Sequence, residues 1–146
     1  MPVLRSAYFD TSVLLKRYIR EAGSDRAITL TQRYLIISAA IAPLEMHSAL
    51  RRVEADGGLS TKALQAALKR IQTERQRWDL VAISPETLES AERLTIDCNI
   101  RSLDGIHLAC ALACQSRLKR SLPFITADLR QKNAAQKFGL EIILID

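Results

Sequence analysis

Five short apolar runs recur along the chain, at residues 5–9, 35–38, 80–83, 124–126 and 141–144, and stretches of helical character separate them. The runs are continuous rather than alternating, unlike strands that keep one face in water. Continuous apolar strands with helices between them are buried on both faces, so the pattern predicts a parallel, helix-covered sheet in an α/β fold. The 146 residues hold enough material for one sizeable core. Neither a repeat nor a low-complexity linker interrupts them, and a single domain over 1–146 is expected.

The connecting segments carry their own punctuation. Thr11 or Ser12 can cap a helix after the first run, extending to about Ile19, and Ser24 or Asp25 can open a second to about Arg33. Pro43 suits the first turn of a third helix, and Gly57-Gly58 ends it. Ser60 or Thr61 starts a fourth, in which Leu64, Leu68, Ile71 and Trp78 form an apolar stripe and Lys62, Lys69, Arg70, Arg75 and Arg77 lie outside it. The third and fourth helices make a hairpin. Ser84-Pro85-Glu86 opens a fifth, which frays near Asp97-Cys98-Asn99. Ser102 is the expected cap of a sixth, and residues 103–118 are apolar almost all round, which marks a buried helix. Asp128 begins a seventh that ends at Gly139.

Charge and composition narrow the classes. The net charge of +5 favours a polyanionic partner, while 5% aromatic residues do not suggest a base-stacking platform. No apolar run nears the roughly 20 residues of a membrane span, and the Met1–Arg5 segment lacks the apolar core of a secretory leader, so a cytoplasmic protein is expected. Three cysteines, Cys98, Cys110 and Cys114, do not make a disulfide framework. Cys110 and Cys114 share a helix face near His107, which raises a zinc site as the lesser reading and buried small hydrophobes as the better one.

Four acids fall at junctions between elements. Asp10 follows the first strand, Glu45 and Asp104 sit in first helical turns, and Asp128 follows the fourth strand by two residues. Parallel strands place Asp10 and Asp128 at one sheet edge, where α/β folds bind ligands. Each acid alone can be explained as a helix N-terminal preference. Asp104 strains that explanation, because it is the only acid in an apolar helix and an unpaired buried carboxylate is costly. Several carboxylates together call for a hard divalent cation, and such a site on a basic protein suits a phosphodiester.

Phe9-Asp10-Thr11-Ser12-Val13-Leu14, Glu45, the stretch from Arg101 to Ala109 (Arg-Ser-Leu-Asp-Gly-Ile-His-Leu-Ala) and Thr126-Ala127-Asp128 together resemble the PIN domain, and within it the VapC-type toxins of prokaryotic toxin–antitoxin pairs. The resemblance covers essentially the whole chain. It implies a three-layer α/β/α fold with a central parallel sheet of five strands, and a ribonuclease dependent on Mg²⁺ or Mn²⁺. It implies that Asp10, Glu45, Asp104 and Asp128 form the acidic site, with Asp10, Asp104 and Asp128 as metal ligands and Glu45 acting through water as ligand or base. Thr11, Ser12 and Thr126 match hydroxyl positions that steady the acids, or serve simply as cap and turn residues. A homodimer and inhibition by a VapB-type antitoxin are also implied.

Other residues are open between readings. His107 follows Asp104 by one turn and could serve as a base, but its family position implies a structural role. His47 is two residues from Glu45 and should face elsewhere. Arg101 is either a phosphate contact or the internal partner of a nearby acid. The rival functions are a PIN-like module that grips RNA or protein without cutting, and a phosphoacceptor or phosphatase built on Asp10. The phosphatase would want a second Asp where Ser12 stands, a receiver would want a lysine after a late strand, and no glycine-rich nucleotide loop is present.

Overall fold

A computed structural model describes residues 3–146; Met1 and Pro2, the start of the segment read above for a leader, lie outside the described residues. The chain runs β1 (Ser6–Phe9), α1 (Thr11–Leu15), α2 (Ser24–Arg33), β2 (Leu35–Ala39), α3 (Ala42–Ala55), α4 (Thr61–Glu74), β3 (Asp79–Val81), α5 (Pro85–Cys98), α6 (Ser102–Leu118), β4 (Pro123–Thr126), α7 (Leu129–Lys137) and β5 (Glu141–Leu144). The strands form one sheet in the order β3-β2-β1-β4-β5. Every pairing is parallel, with Ala7 opposite Ile36 and Phe9 opposite Ile125 at the centre.

The continuous apolar strands are explained by the two cores they divide. Ala7, Phe9 and Ile36 face one side, where Val13, Leu14, Met46, Leu50, Leu64 and Ile71 from α1, α3 and α4 pack on them. Tyr8, Ile37 and Phe124 face the other, against Leu94, Leu108, Cys110 and Ala135 from α5, α6 and α7. Successive side chains of a strand point to opposite faces, so a sheet covered twice needs an apolar residue at every step. Phe124 stacks on Tyr8 with ring centroids 5.4 Å apart.

The order of strands places a switch point in mid-sheet. From β1 the chain winds outward to β2 and β3, then returns across the sheet to β4 on the far side of β1. A crevice opens beyond the carboxyl ends of β1 and β4, as at other such switch points. Gly105 allows the close crossing of α5 and α6: a Cβ there would stand 2.9 Å from Thr95 Cγ2 and 3.1 Å from the Ala91 carbonyl oxygen.

Several local expectations differ from the structure. The first helix stops at Leu15 rather than near Ile19. Beyond it, Lys16 and Arg17 donate to carbonyls three residues back, and the chain tightens into turns. Arg17 and Tyr18 are drawn toward Glu74 on α4, at 2.8 and 2.7 Å. Trp78 does not extend the α4 stripe, because a 3₁₀ turn at Arg75–Arg77 intervenes. The third strand is Asp79–Val81, paired with β2, and stops short of Ile83. Ser60 and Ser84 cap α4 and α5 as read. The N-caps of α1, α2 and α6 are instead Asp10, Gly23 and Arg101.

Candidate active site

Asp10 closes β1. Its N–H donates to the Ile125 carbonyl of β4 at 2.9 Å, which fixes the backbone at the switch point. The side chain is almost wholly buried, and Oδ2 accepts from two hydroxyls, Ser12 Oγ and Thr126 Oγ1, both at 2.9 Å. Thr126 Oγ1 also accepts from the Asp128 N–H at 3.0 Å, and Ser12 Oγ from the Ala127 N–H at 3.3 Å. The two hydroxyls thus lace the turn after β1 to the turn after β4.

Glu45 stands in the first turn of α3 and is held from behind. Its Oε1 accepts from Thr11 Oγ1 at 2.8 Å and lies 2.7 Å from His107 Nε2. His107 is buried, and its Nδ1 lies 2.8 Å from the Tyr8 hydroxyl. Burial works against the charged ring, but the bond to Glu45 and the nearby charges of Asp10, Glu45 and Asp104 outweigh it and raise the pKa. Burial also raises the Tyr8 phenol well above its ordinary range, so it keeps its proton.

Asp104 projects from the first turn of α6. Burial raises its carboxyl pKa, the negative charge of Asp10 raises it further, Arg101 opposes both, and Asp128 adds to the rise. Asp128 caps α7 through Oδ1, which accepts from the Arg130 and Gln131 N–H groups at 2.8 and 3.4 Å. Arg101 lies between the two acids, 3.4 Å from Asp104 Oδ2 and 3.5 Å from Asp128 Oδ2. Of the two readings of Arg101, the structure supports the internal partner of nearby acids.

All four acids line one cleft of about 490 Å³, with Thr11, Ser12 and Arg101 among its other walls. Thr126 steadies Asp10 from below. Sequence reasoning missed Ser48 and Arg52, which also line the cleft and share a 2.9 Å hydrogen bond. Their signal was the helical spacing from Glu45, at i+3 and i+7 on α3. The rim includes exposed Leu44 and Leu103. His47 turns away, with Nδ1 2.7 Å from the Pro43 carbonyl oxygen. Cys110 and Cys114 are buried, and burial followed by the neighbouring Cys114 pushes the Cys110 thiol up to about 11, so the small-hydrophobe reading fits them.

Among the described residues, no three His, Cys, Asp or Glu side chains form a ready-made metal cage. The donor chemistry still fits a hard cation. The cleft offers carboxylate oxygens, its one nearby imidazole is engaged behind Glu45, and Asp104 is partly buried beside the like charges of Asp10 and Asp128. Mg²⁺ keeps several waters and needs only one or two carboxylates.

The family model of the PIN domain matches residues 7–137. The chain belongs to the PIN domain family. As a PIN domain it joins a family of nucleases that generally use divalent metals. The parallel sheet with helices on both faces is the expected PIN-like architecture. Solved structures share it at low identity. One is VapBC2 from Rickettsia felis bound to a DNA fragment from their promoter, with a TM-score of 0.64 and 12% identity over 96% of this chain and 98% of that one. Another is a toxin–antitoxin complex from Klebsiella pneumoniae, with a TM-score of 0.60 and 16% identity over 94% and 96%. A third is VapBC-5 of the VapBC family of toxin–antitoxin systems from Mycobacterium tuberculosis, with a TM-score of 0.53 and 19% identity over 96% and 97%. At these identities the likeness is one of fold. No curated protein sequence matches the chain. Among the described residues of this PIN domain, no helix is long and apolar enough to cross a membrane.

Proposed function

We propose that this PIN domain, one nuclease unit over 1–146, is a metal-dependent endoribonuclease and the toxin of a type II toxin–antitoxin pair, of the VapC type. The observation that carries the reading is the convergence of Asp10, Glu45, Asp104 and Asp128 on one cleft at the sheet's switch point. Asp10, Asp104 and Asp128 would hold Mg²⁺ or Mn²⁺. A bound ion of that kind polarises a phosphoryl oxygen and lowers the pKa of an attacking water.

The chain's own groups supply the rest. Ser12 and Thr126 fix the direction of the Asp10 carboxylate. Glu45, clamped through Oε1, faces the cleft and accepts the proton of the water that attacks phosphorus. Arg52 provides positive charge on the cleft wall for the phosphates of an RNA strand, while Arg101 stays engaged with Asp104 and Asp128. The net charge of +5 draws in the polyanion.

The toxin assignment draws on the fold shared with structures solved as toxin–antitoxin complexes. It brings a VapB-type antitoxin as partner, a homodimer and a cytoplasmic location. A second reading, a PIN-like module that binds RNA or protein without cutting, is favoured by one observation: Arg101 already bridges Asp104 and Asp128. Incubating the purified protein with RNA, with and without added Mg²⁺ or Mn²⁺, separates the two. Metal-restored cleavage supports the nuclease, and binding without cleavage in every metal supports the module.

A further inference from the structure

His107 sits where the two helical layers meet. It is carried by α6, which packs on one face of the sheet, yet its ring reaches Glu45 on α3, which packs on the other. The ring is 1% exposed. Tyr8 of β1 lies at Nδ1, while Glu45 Oε1 and Thr11 Oγ1 lie at Nε2, at 2.7 and 3.0 Å. Four separate elements therefore meet at one imidazole.

Hydrogen-bond chemistry assigns the protons. An ionised carboxylate only accepts, so the atom facing Glu45 must be an N–H. In a neutral ring the other nitrogen then has a lone pair and can accept only from an O–H, which Tyr8 provides. The direction is Tyr8 O–H to Nδ1, then Nε2–H to Glu45. Thr11 donates to the same Glu45 oxygen, so that oxygen is saturated from inside the protein.

We propose that His107 is a positioning residue: its Nε2–H, with Tyr8 completing the hydrogen bonding at Nδ1, fixes the Glu45 carboxylate against the cleft. It does not touch substrate. It acts through Glu45, much as an outer partner orients a ligand or base in other sites. The kinetic part of this inference rests on the nuclease reading above, and the proton assignment does not.

Nitrogen-15 NMR of histidine-labelled protein tests the assignment whether or not the protein cuts RNA. Only two histidines are present, so His107→Gln assigns the signals. At a pH where the ring is neutral, Nε2 of His107 should be protonated and Nδ1 should not. Tyr8→Phe, which keeps a ring to stack on Phe124, should move the Nδ1 signal, and Glu45→Gln should move the Nε2 signal. A neutral ring protonated at Nδ1, or an Nε2 signal indifferent to Glu45→Gln, overturns the proposal. In cleavage assays His107→Leu should lower kcat by about tenfold or more with little change in KM. His107→Gln, which keeps an N–H near the Nε2 position, should recover most of that loss. Equal kcat for the wild type and a folded His107→Leu, or equal losses for the Leu and Gln variants, would contradict the positioning role.

Discussion

The Thr126 hydroxyl donates to Asp10 Oδ2 at 2.9 Å, across 116 positions of sequence. The Thr126 hydroxyl oxygen in turn accepts from the Asp128 N–H, so one side chain sets both a carboxylate at the end of β1 and the turn that carries another. Thr126→Val keeps the shape and removes both bonds. The variant should lose about 1–3 kcal/mol of stability, because a buried acceptor loses a donor. Cleavage should fall with it, while Thr126→Ser should keep most of both. Thermal melts and cleavage rates of the two variants check this, and a Thr126→Val protein equal to wild type in both would refute it.

Gly105 stands one residue after Asp104, at the crossing of α5 and α6. A methyl group there meets Thr95 Cγ2 at 2.9 Å, and the Thr95 hydroxyl is tied to the Glu92 carbonyl, so the neighbour has little room to turn. Gly105→Ala should therefore destabilise by about 1–3 kcal/mol through overpacking, despite the better helix propensity of alanine. Chemical denaturation gives the sign directly. A gain in stability would mean that the two helices part without cost.

Glu74 gives the fold an acid-sensitive tie. Burial alone would raise its pKa, but bonds from Arg17 and Tyr18 and the charges of Arg17 and Arg70 lower it overall. A group whose folded pKa is depressed binds fewer protons folded than unfolded. Its contribution is complete above the unfolded value of about 4.3 and is lost as pH falls through the lower folded value. Wild-type Tm should drop across that window, and Glu74→Gln should show a shallower drop from a lower start. Parallel acid limbs in the two melting series would remove Glu74 as the cause.

RNA binding should weaken as salt rises, because a basic protein gains affinity from counterions released by the phosphates. Arg52→Ala, which removes a cation lining the cleft, should flatten the slope of log affinity against log salt. Filter binding or anisotropy over a salt series measures it. A wild-type affinity indifferent to salt would contradict the electrostatic part of the account.

The sheet was legible because its strands are short, apolar and punctuated. The fifth strand, read at 141–144, is Glu141–Leu144, and α5 begins at Pro85, where Ser84 and Pro85 announce it. The four acids were legible as junction residues, and the cleft brings them together. What escaped was long-range. Strand order depends on how helices pack, and nothing local to β4 says that it lies beside β1. The early end of α1 follows from Arg17 and Tyr18 finding Glu74 on a helix more than fifty residues later. The hold of His107 on Glu45 joins residues 62 apart, and no periodicity records such a pair. Arg52 was within reach, since it lies two turns along α3 from Glu45.

Asp10, at the switch point, stands at the centre of the proposed metal-dependent RNA-cutting site. Purified wild type and Asp10→Asn should be compared on the same RNA, each in EDTA and each with Mg²⁺ or Mn²⁺ restored, after their melts show that both are folded. Cleavage is expected from the wild type only when metal is present, and none from Asp10→Asn in any condition. Equal cleavage by the two proteins, or full wild-type activity in chelated, metal-free buffer, would contradict it.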